Sequence, residues 1–250
     1  AKNIILPQSY RVPQAVQQIA DQILNRIPDT RRIKKQWASR PEGGSVDHVT
    51  SIEDVPLYEG DWLILARTND KLIKLKSILQ EMAIYFELKG RKSYKTRLYT
   101  AVKHYTRWTK GDKLSLSECK DLFEYLELDQ ELNEERMYDL QEFGYNTTDE
   151  WYEVFKSDPE ECLYIREMLR NKEELSKPAR VKLSTIHAAK GGEATNVLII
   201  LDNTKKIREA VDKSEDKHDE EHRVWYVGVT RTKQNLYIMT PKREDRSYDI

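Results

Sequence analysis

The sequence predicts an α/β protein: a parallel sheet flanked by helices and interrupted by an all-helical insertion. Three observations carry that reading. Asp61-Trp62-Leu63-Ile64-Leu65-Ala66 is apolar on both alternating faces, as in a strand covered on both sides. Helical periodicity follows through Leu72, Leu75, Leu79 and Met82, and strand chemistry returns from Ile84 to Leu88. Further along, Val181 to Thr185, the apolar run Asn196 to Asp202 and Gln234 to Thr240 resume the strand pattern. Between the two blocks, residues 90–177 carry aromatics at helical rather than alternating spacing. The expected division is therefore an α/β domain from 1–89 and 178–250, with a helical subdomain at 90–177.

The remaining elements follow in order. Pro13 stands where a first helical residue is tolerated; Val16, Ile19, Ile23, Leu24 and Ile27 then repeat at helical spacing until Pro28. The stretch Arg31 to Arg40 is polar and basic. After Gly43-Gly44, the alternating run Val46 to Ser51 suits an edge strand. Within the insertion, Lys89 to Lys113 holds nine Lys or Arg against one Asp, while Leu114 to Glu161 holds sixteen acids against three bases. Such runs are solvated helix faces or a partner-binding surface. Asn203 to Asp219 reads as a polar connection, and Glu220 to Arg231 as a helix bearing Val224, Tyr226 and Val227.

Composition excludes several classes. With 250 residues, 38% apolar, 34% charged and net charge -1, the chain can bury a core and is not disordered. Gly and Pro total 17, too few for a turn-dense β protein or a low-complexity tail. Apolar runs reach only five residues, at Trp62 to Ala66 and Val197 to Leu201, against the roughly 20 that a membrane-spanning helix needs. Ala1 to Leu6 carries no secretory pattern, and Cys119 and Cys162 lack CxxC spacing, so both read as intracellular thiols. The expectation is a cytoplasmic protein with no membrane partner. On that reading, the glycosylation-like Asn146-Thr147-Thr148 is not used.

Two stretches are more specific: Thr185-Ile186-His187-Ala188-Ala189-Lys190-Gly191-Gly192-Glu193, and Glu220-Glu221-His222-Arg223-Val224-Trp225-Tyr226-Val227-Gly228-Val229-Thr230-Arg231. They resemble the T-x-H-x-x-K-G-x-E and E-x-R-x-x-Y-V-x-x-T-R motifs of UvrD/Rep-like superfamily 1 DNA helicases. Leu6-Pro7-Gln8-Ser9-Tyr10-Arg11 is similar to that family's Q-N-Y-R-S, and Leu65-Ala66-Arg67-Thr68-Asn69 to its strand ending in R-[ST]-N. The matches keep the family's order and span nearly all the chain outside the insertion. The resemblance implies a RecA-like second motor domain that uses ATP and Mg.

Its site residues follow by matching. Arg231 would be the arginine finger, Arg11 a second contact to the γ-phosphate, Tyr10 a stacking surface for adenine and Glu193 an acceptor for the ribose hydroxyls. The chemistry is apt, because an always-ionised planar guanidinium suits charge that redistributes on a phosphoryl group. An ionised carboxylate only accepts, which suits sugar hydroxyls. Arg67, Asn69, Thr185 and His187 match positions that touch single-stranded DNA, largely its backbone, where contacts position a strand without reading its sequence. The resemblance leans toward 3′ to 5′ movement. Gly192 and Ala194 depart from the larger side chains usual around the motif glutamate, which implies looser packing beneath that loop. Ser9 replaces the usual Asn before Tyr10, at the expense of the Asn hydrogen bond.

No Gly is followed by Lys, so the phosphate loop of such a motor is not in this chain. The expected reading is the C-terminal half of a helicase. A first RecA-like domain would hold most of the Mg site, ATP would lie in the cleft between the halves, and this half would be inactive alone. Weak, salt-dependent binding of single strands is expected of it. Two alternatives stand beside that reading. His218-Asp219-Glu220-Glu221-His222 fits the H-x-x-E-H pattern of inverted zinc proteases. A non-catalytic interaction module would instead bind a replication or repair protein through the charged insertion.

Overall fold

The computed structural model describes residues 8–33, 37–41, 43–126, 132, 135–144, 149–241 and 247–250. Ala1 to Leu6, Pro7 of the first motif, Lys34 to Gln36 and Asn146 to Thr148 lie outside the described residues. In chain order the elements are β1 (Gln8–Pro13), α1 (Gln14–Asn25), β2 (Ala38–Arg40), β3 (Ser45–Val49), β4 (Trp62–Ala66), α2 (Asn69–Glu81) and β5 (Phe86–Leu88). Then come β6 (Arg91–Lys92), α3 (Thr96–Thr109), α4 (Leu116–Leu126), α5 (Trp151–Val154) and α6 (Pro159–Arg170). The chain finishes with β7 (Val181–Thr185), β8 (Ala194–Ile200), α7 (Lys205–Lys213), α8 (Glu215–Val229) and β9 (Thr232–Met239). It divides into two compact units: residues 1–79, 86–90 and 178–250, and residues 80–85 with 91–177.

The first unit is an α/β layer structure. Its main sheet runs β3-β9-β8-β4-β7-β5, and each of these pairings is parallel. β1 and β2 form a separate parallel pair, which the basic character of the Arg31 to Arg40 stretch concealed. β4 sits between β7 and β8, and all five of its residues are buried, as its uninterrupted apolar run requires. Alternate residues divide between the faces. Leu63 and Leu65 of β4, Val197 and Ile199 of β8, and Leu236 and Ile238 of β9 join a core with Val16, Ala20 and Ile23 of α1 and Trp225 and Val229 of α8. At about 25 cal/mol per Å² of apolar surface, each such side chain contributes roughly 1.5–3 kcal/mol when fully buried.

Several boundaries differ from the sequence reading. The connection from Asn203 to Asp219 is mostly helix: α7 fills it, and α8 begins at Glu215 rather than Glu220. Capping explains both starts, since Thr204 Oγ1 accepts from the Ile207 amide and Ser214 Oγ from the Lys217 amide. Glu215 and Asp216 then favour the positive end of α8. α7 has no fully buried residue, and its short stripe of Ile207, Ala210 and Val211 is hidden among charged neighbours. β8 begins at Ala194, two residues before the expected Asn196, and β9 at Thr232 rather than Gln234.

Among the described residues, the regular structure of the second unit is helical apart from the two-residue β6 and one antiparallel bridge, Leu114 with Tyr138. α6 starts on Asp158, whose carboxylate accepts from the Glu160 amide, with Pro159 in the first turn. α3 buries Leu98, Ala101, Val102, Tyr105 and Trp108, and α4 buries Leu116, Cys119, Leu122, Phe123 and Leu126. The opposed charge runs partly satisfy each other: Arg107 bonds Glu118 at 2.6 Å and Lys95 Nζ lies 3.8 Å from Asp158 Oδ2. Cys119 and Cys162 are free, buried thiols, and burial pushes the Cys119 thiol up to about 11.

Gly228 fixes how closely α8 approaches the sheet. A Cβ there would lie 2.8 Å from Ile199 Cδ1 and 3.3 Å from Ile186 Cδ1, both residues of the core. Gly228→Val is therefore expected to lose about 1–3 kcal/mol by overpacking. Urea denaturation of both proteins checks this, and equal midpoints would contradict the close approach.

Candidate nucleotide and nucleic-acid edges

The residues singled out in the sequence gather at two ends of the main sheet. Ala194 pairs with Thr232 across β8 and β9, which places Glu193 and Arg231 side by side just before the two strands begin. The Ala194 amide donates to the Arg231 carbonyl at 3.3 Å. β1 brings in Arg11, whose Nη1 lies 3.1 Å from Glu193 Oε2 although 182 residues separate them. Arg231 is anchored at the end of α8: its Nε donates to the Val227 carbonyl at 3.0 Å and its Nη1 to the Gly192 carbonyl at 3.4 Å. Tyr10, beside Arg11 on β1, is 86% exposed, a free aromatic surface.

Electrostatics tie these groups together. Burial, then repulsion from Arg11, lowers the Arg231 guanidinium from its ordinary value, with Glu193 and Tyr226 acting against both. Hydrogen bonds from Lys233 and Arg11 hold the Glu193 carboxyl below the usual carboxylate range. Tyr226 is pushed up by burial and by Asp21, against the pull of Arg11 and Arg231. Lys233 was not identified from sequence; its Nζ lies 2.7 Å from Glu193 Oε1. The available signal was alternation, since Lys233 follows the fully buried Thr232 on β9 and must face the other way.

The departures from the family pattern have local answers. Ser9 Oγ accepts from the amides of Arg11 and Val12, at 3.4 and 3.2 Å, so a hydrogen bond is made from this position. Ala194 is 5% exposed and belongs to the core, while Gly192 is exposed.

The second group lies at the carboxyl ends of the adjacent strands β4 and β7, where Ala66 pairs with Thr185. Thr185 Oγ1 accepts from the Ala188 amide at 3.2 Å and so shapes the turn that carries His187. His187 and Asn69 are exposed and Thr185 is half-buried. Arg67 is different, because its guanidinium is already occupied. Nε lies 3.1 Å from each Glu221 oxygen and Nη2 lies 3.0 Å from Oε2. Glu221, 4% exposed, also accepts from Asn203 Nδ2 at 3.2 Å and from Trp225 Nε1 at 2.7 Å. The stretch from Thr185 to Glu193 runs from this end of the sheet to the other, with Ile186 and Ala189 in the core beneath it.

The zinc pattern resolves into a hydrogen-bonded cluster. His218 Nε2 and His222 Nε2 face each other at 3.0 Å, and His222 Nδ1 bonds the Tyr248 hydroxyl. Among the described residues no group of three or more His, Cys, Asp or Glu could hold a metal ion. No described helix is long and apolar enough to cross a membrane.

Comparison with known proteins decides the family. The UvrD-like helicase C-terminal domain matches residues 64–243, more than half of the 250 residues. The chain belongs to the UvrD-like helicase C-terminal domain family. That match holds Arg67, Asn69, Thr185, His187, Glu193 and Arg231, whereas Tyr10 and Arg11 precede it. Among solved structures, the C-terminal domain of a possible DNA helicase from Lactobacillus plantarum WCFS1 is 12% identical. The comparison covers 93% of this chain and 88% of that one, with a TM-score of 0.27. No curated protein matches.

Two outcomes follow for this helicase-family domain. Arg67→Met leaves the buried Glu221 carboxylate without its cation, which is expected to cost about 3–5 kcal/mol; chemical denaturation measures it, and an unchanged midpoint would show that the pair is not formed. Burial, His218 and Arg26 lower His222 to about 4, against an ordinary 6.5. Between those values the unfolded chain binds a proton that the folded chain refuses, so stability falls as pH drops from 6.5 toward 4. The slope from this one group approaches about 1.4 kcal/mol per pH unit. His222→Gln should flatten the profile by that amount.

Proposed function

We propose that this domain is the second motor domain of an ATP-dependent DNA helicase or translocase, supplying arginines to the γ-phosphate and a track for single-stranded DNA. The convergence of Arg11, Glu193 and Arg231 at one end of the sheet, from three distant parts of the sequence, carries the reading. The donor set suits a nucleoside triphosphate. Arg11 Nε is buried with no partner among the described residues, so the guanidinium has unspent donor capacity beside a carboxylate. At the same end Glu193 is already shared by two cations and Asp61 accepts from the Thr195 amide; in this reading the magnesium ion is held by a first RecA-like domain that carries the phosphate loop.

The nucleotide supplies a phosphoryl group whose charge redistributes as it is transferred to water. Arg231 is held by two backbone carbonyls, and a guanidinium positioned in advance stabilises developing charge without reorganising. Arg11 adds a second cation, Tyr10 a stacking face and Glu193 an acceptor for sugar hydroxyls. At the other end, Asn69, Thr185 and His187 line the strand path, and Arg67 buttresses it from behind through Glu221. The segment from Thr185 to Glu193 belongs to both ends, so a shift at one is passed to the other along a short, core-packed connection. Closure onto the first motor domain would be the bistable step that moves the strand. Repair or replication partners would meet the helical unit, whose α3 and α4 charges are partly neutralised within it.

The test is DNA-stimulated ATP hydrolysis by the parent protein with both motor domains. Arg231→Ala should lower turnover on the order of 10³-fold or more while nucleotide binding is retained. Unchanged turnover would remove Arg231 from the mechanism. His187→Ala should weaken single-strand binding and leave the DNA-independent rate in place; equal affinity would remove this edge from the track.

A further inference from the structure

His218 and His222 stand one turn apart on α8, with their Nε2 atoms 3.0 Å apart and their ring planes at 81°. Both outer nitrogens are engaged: His218 Nδ1 lies 3.3 Å from Asp219 Oδ1, and His222 Nδ1 meets the Tyr248 hydroxyl. The Arg31 guanidinium bonds both Asp219 oxygens, at 2.9 and 3.2 Å, so this carboxylate is ionised and can only accept. His218 therefore carries its proton on Nδ1 and turns a bare Nε2 toward His222. Two tautomers of His222 answer it. With the proton on His222 Nε2, the two rings share a hydrogen bond and the Tyr248 hydroxyl donates to Nδ1. With the proton on Nδ1, the hydroxyl accepts it and two nitrogen lone pairs converge on one point.

That point lies on an open cavity of about 390 Å³, which both imidazoles line. Asn203 lines it too; the residue is 4% exposed, and its Oδ1 is buried with no partner among the described residues. Acidic Asp212, Glu221 and Asp249 offset the charges of Arg26 and Arg208 on the same wall. We propose that His218 Nε2 and His222 Nε2 chelate a late divalent transition-metal ion, Cu²⁺ or Ni²⁺, with water completing its shell and Asn203 Oδ1 accepting from that water.

Three features favour these ions. Metal–nitrogen bonds of about 2.0–2.1 Å make two nitrogens 3.0 Å apart subtend roughly a right angle. Adjacent positions of a square-planar or octahedral ion have that angle, whereas the tetrahedral shell of structural zinc opens wider. Each imidazole also has an outer hydrogen-bond partner that fixes its ring, as metal-bound histidines do. Finally, nothing need be lost to bind: the His222 proton moves from Nε2 to Nδ1, and the Tyr248 hydroxyl turns from donor to acceptor. A hydrolytic zinc centre is a different object, since it needs three protein ligands.

The experiment is calorimetric titration of the full 250-residue chain, free of any affinity tag, with CuCl₂, NiCl₂, MgCl₂ and CaCl₂. One Cu²⁺ should bind per chain, Ni²⁺ more weakly, and neither Mg²⁺ nor Ca²⁺ at the same concentrations, because these prefer oxygen ligands. Tyr248→Phe should weaken Cu²⁺ binding about tenfold, the cost of a lost outer partner, and His218→Asn by more. His218 is half-exposed, so that variant should fold. His48→Asn, at an exposed histidine elsewhere, should bind as the wild type does. Electron paramagnetic resonance of the Cu²⁺ complex should report two nitrogen ligands in the wild type and one in His218→Asn. No saturable binding of Cu²⁺ by the wild type, equal affinity in His218→Asn, or a loss caused by His48→Asn instead, would each overturn the site.

Discussion

The Glu221 carboxylate is the constraint on which the architecture turns. It is buried, and four donor atoms reach it: two from the Arg67 guanidinium, one from Asn203 and one from Trp225. An ionised carboxylate in a protein interior is tolerable only when it is paired and its lone pairs are filled. Meeting that demand locks α8 to the end of β4 and to the residue following Asp202. Once α8 is fixed there, Gly228 sets its depth on the sheet and Arg231 emerges at a determined place beyond its last turn. The position of the candidate arginine finger therefore follows from a buried ion pair midway along the helix.

How much of this could be read in the sequence depends on the range of the interactions. Strand and helix periodicity is local, and β4, β7 and α1 were placed within a residue or two because Trp62 to Ala66, Val181 to Thr185 and the Val16 to Ile23 stripe each carry their own pattern. α7 was missed because its apolar stripe is short, Ile207 and Val211 with Ala210, and stands among charged residues in a polar stretch. β1 and β2 were missed because a short parallel pair outside the main sheet has no long apolar run. The gathering of Arg11, Glu193 and Arg231 was legible only through motif resemblance; no local rule joins residues 182 apart.

Arg67 shows the same limit from the other side. A motif match gives a residue type and a place on a strand end, and the place is correct: Arg67 follows β4 next to Thr185 and His187. What a motif cannot give is the partner the side chain has already found, here a carboxylate 154 residues later. The departures at Ser9 and Ala194 also needed structure. A hydroxyl accepts two amides where an Asn was expected to be needed, and a small side chain sits closed in the core where looseness was expected.

Burial sorts the ion pairs of the first unit into two kinds, and the sorting matches what each end of the sheet must do. Arg67 with Glu221 is buried and multiply bonded, so breaking it exposes an uncompensated charge to an apolar interior; it behaves as a fixed joint. Arg11 and Lys233 with Glu193 are open to water, where each lost contact is largely replaced by solvent, so these pairs can be exchanged at little cost. On the nucleotide reading proposed above, a domain that grips and releases a charged ligand needs both kinds. Exchange at the ligand end is useful only if the side chains doing it return to the same place. The fixed joint midway along α8 is what returns Arg231 there.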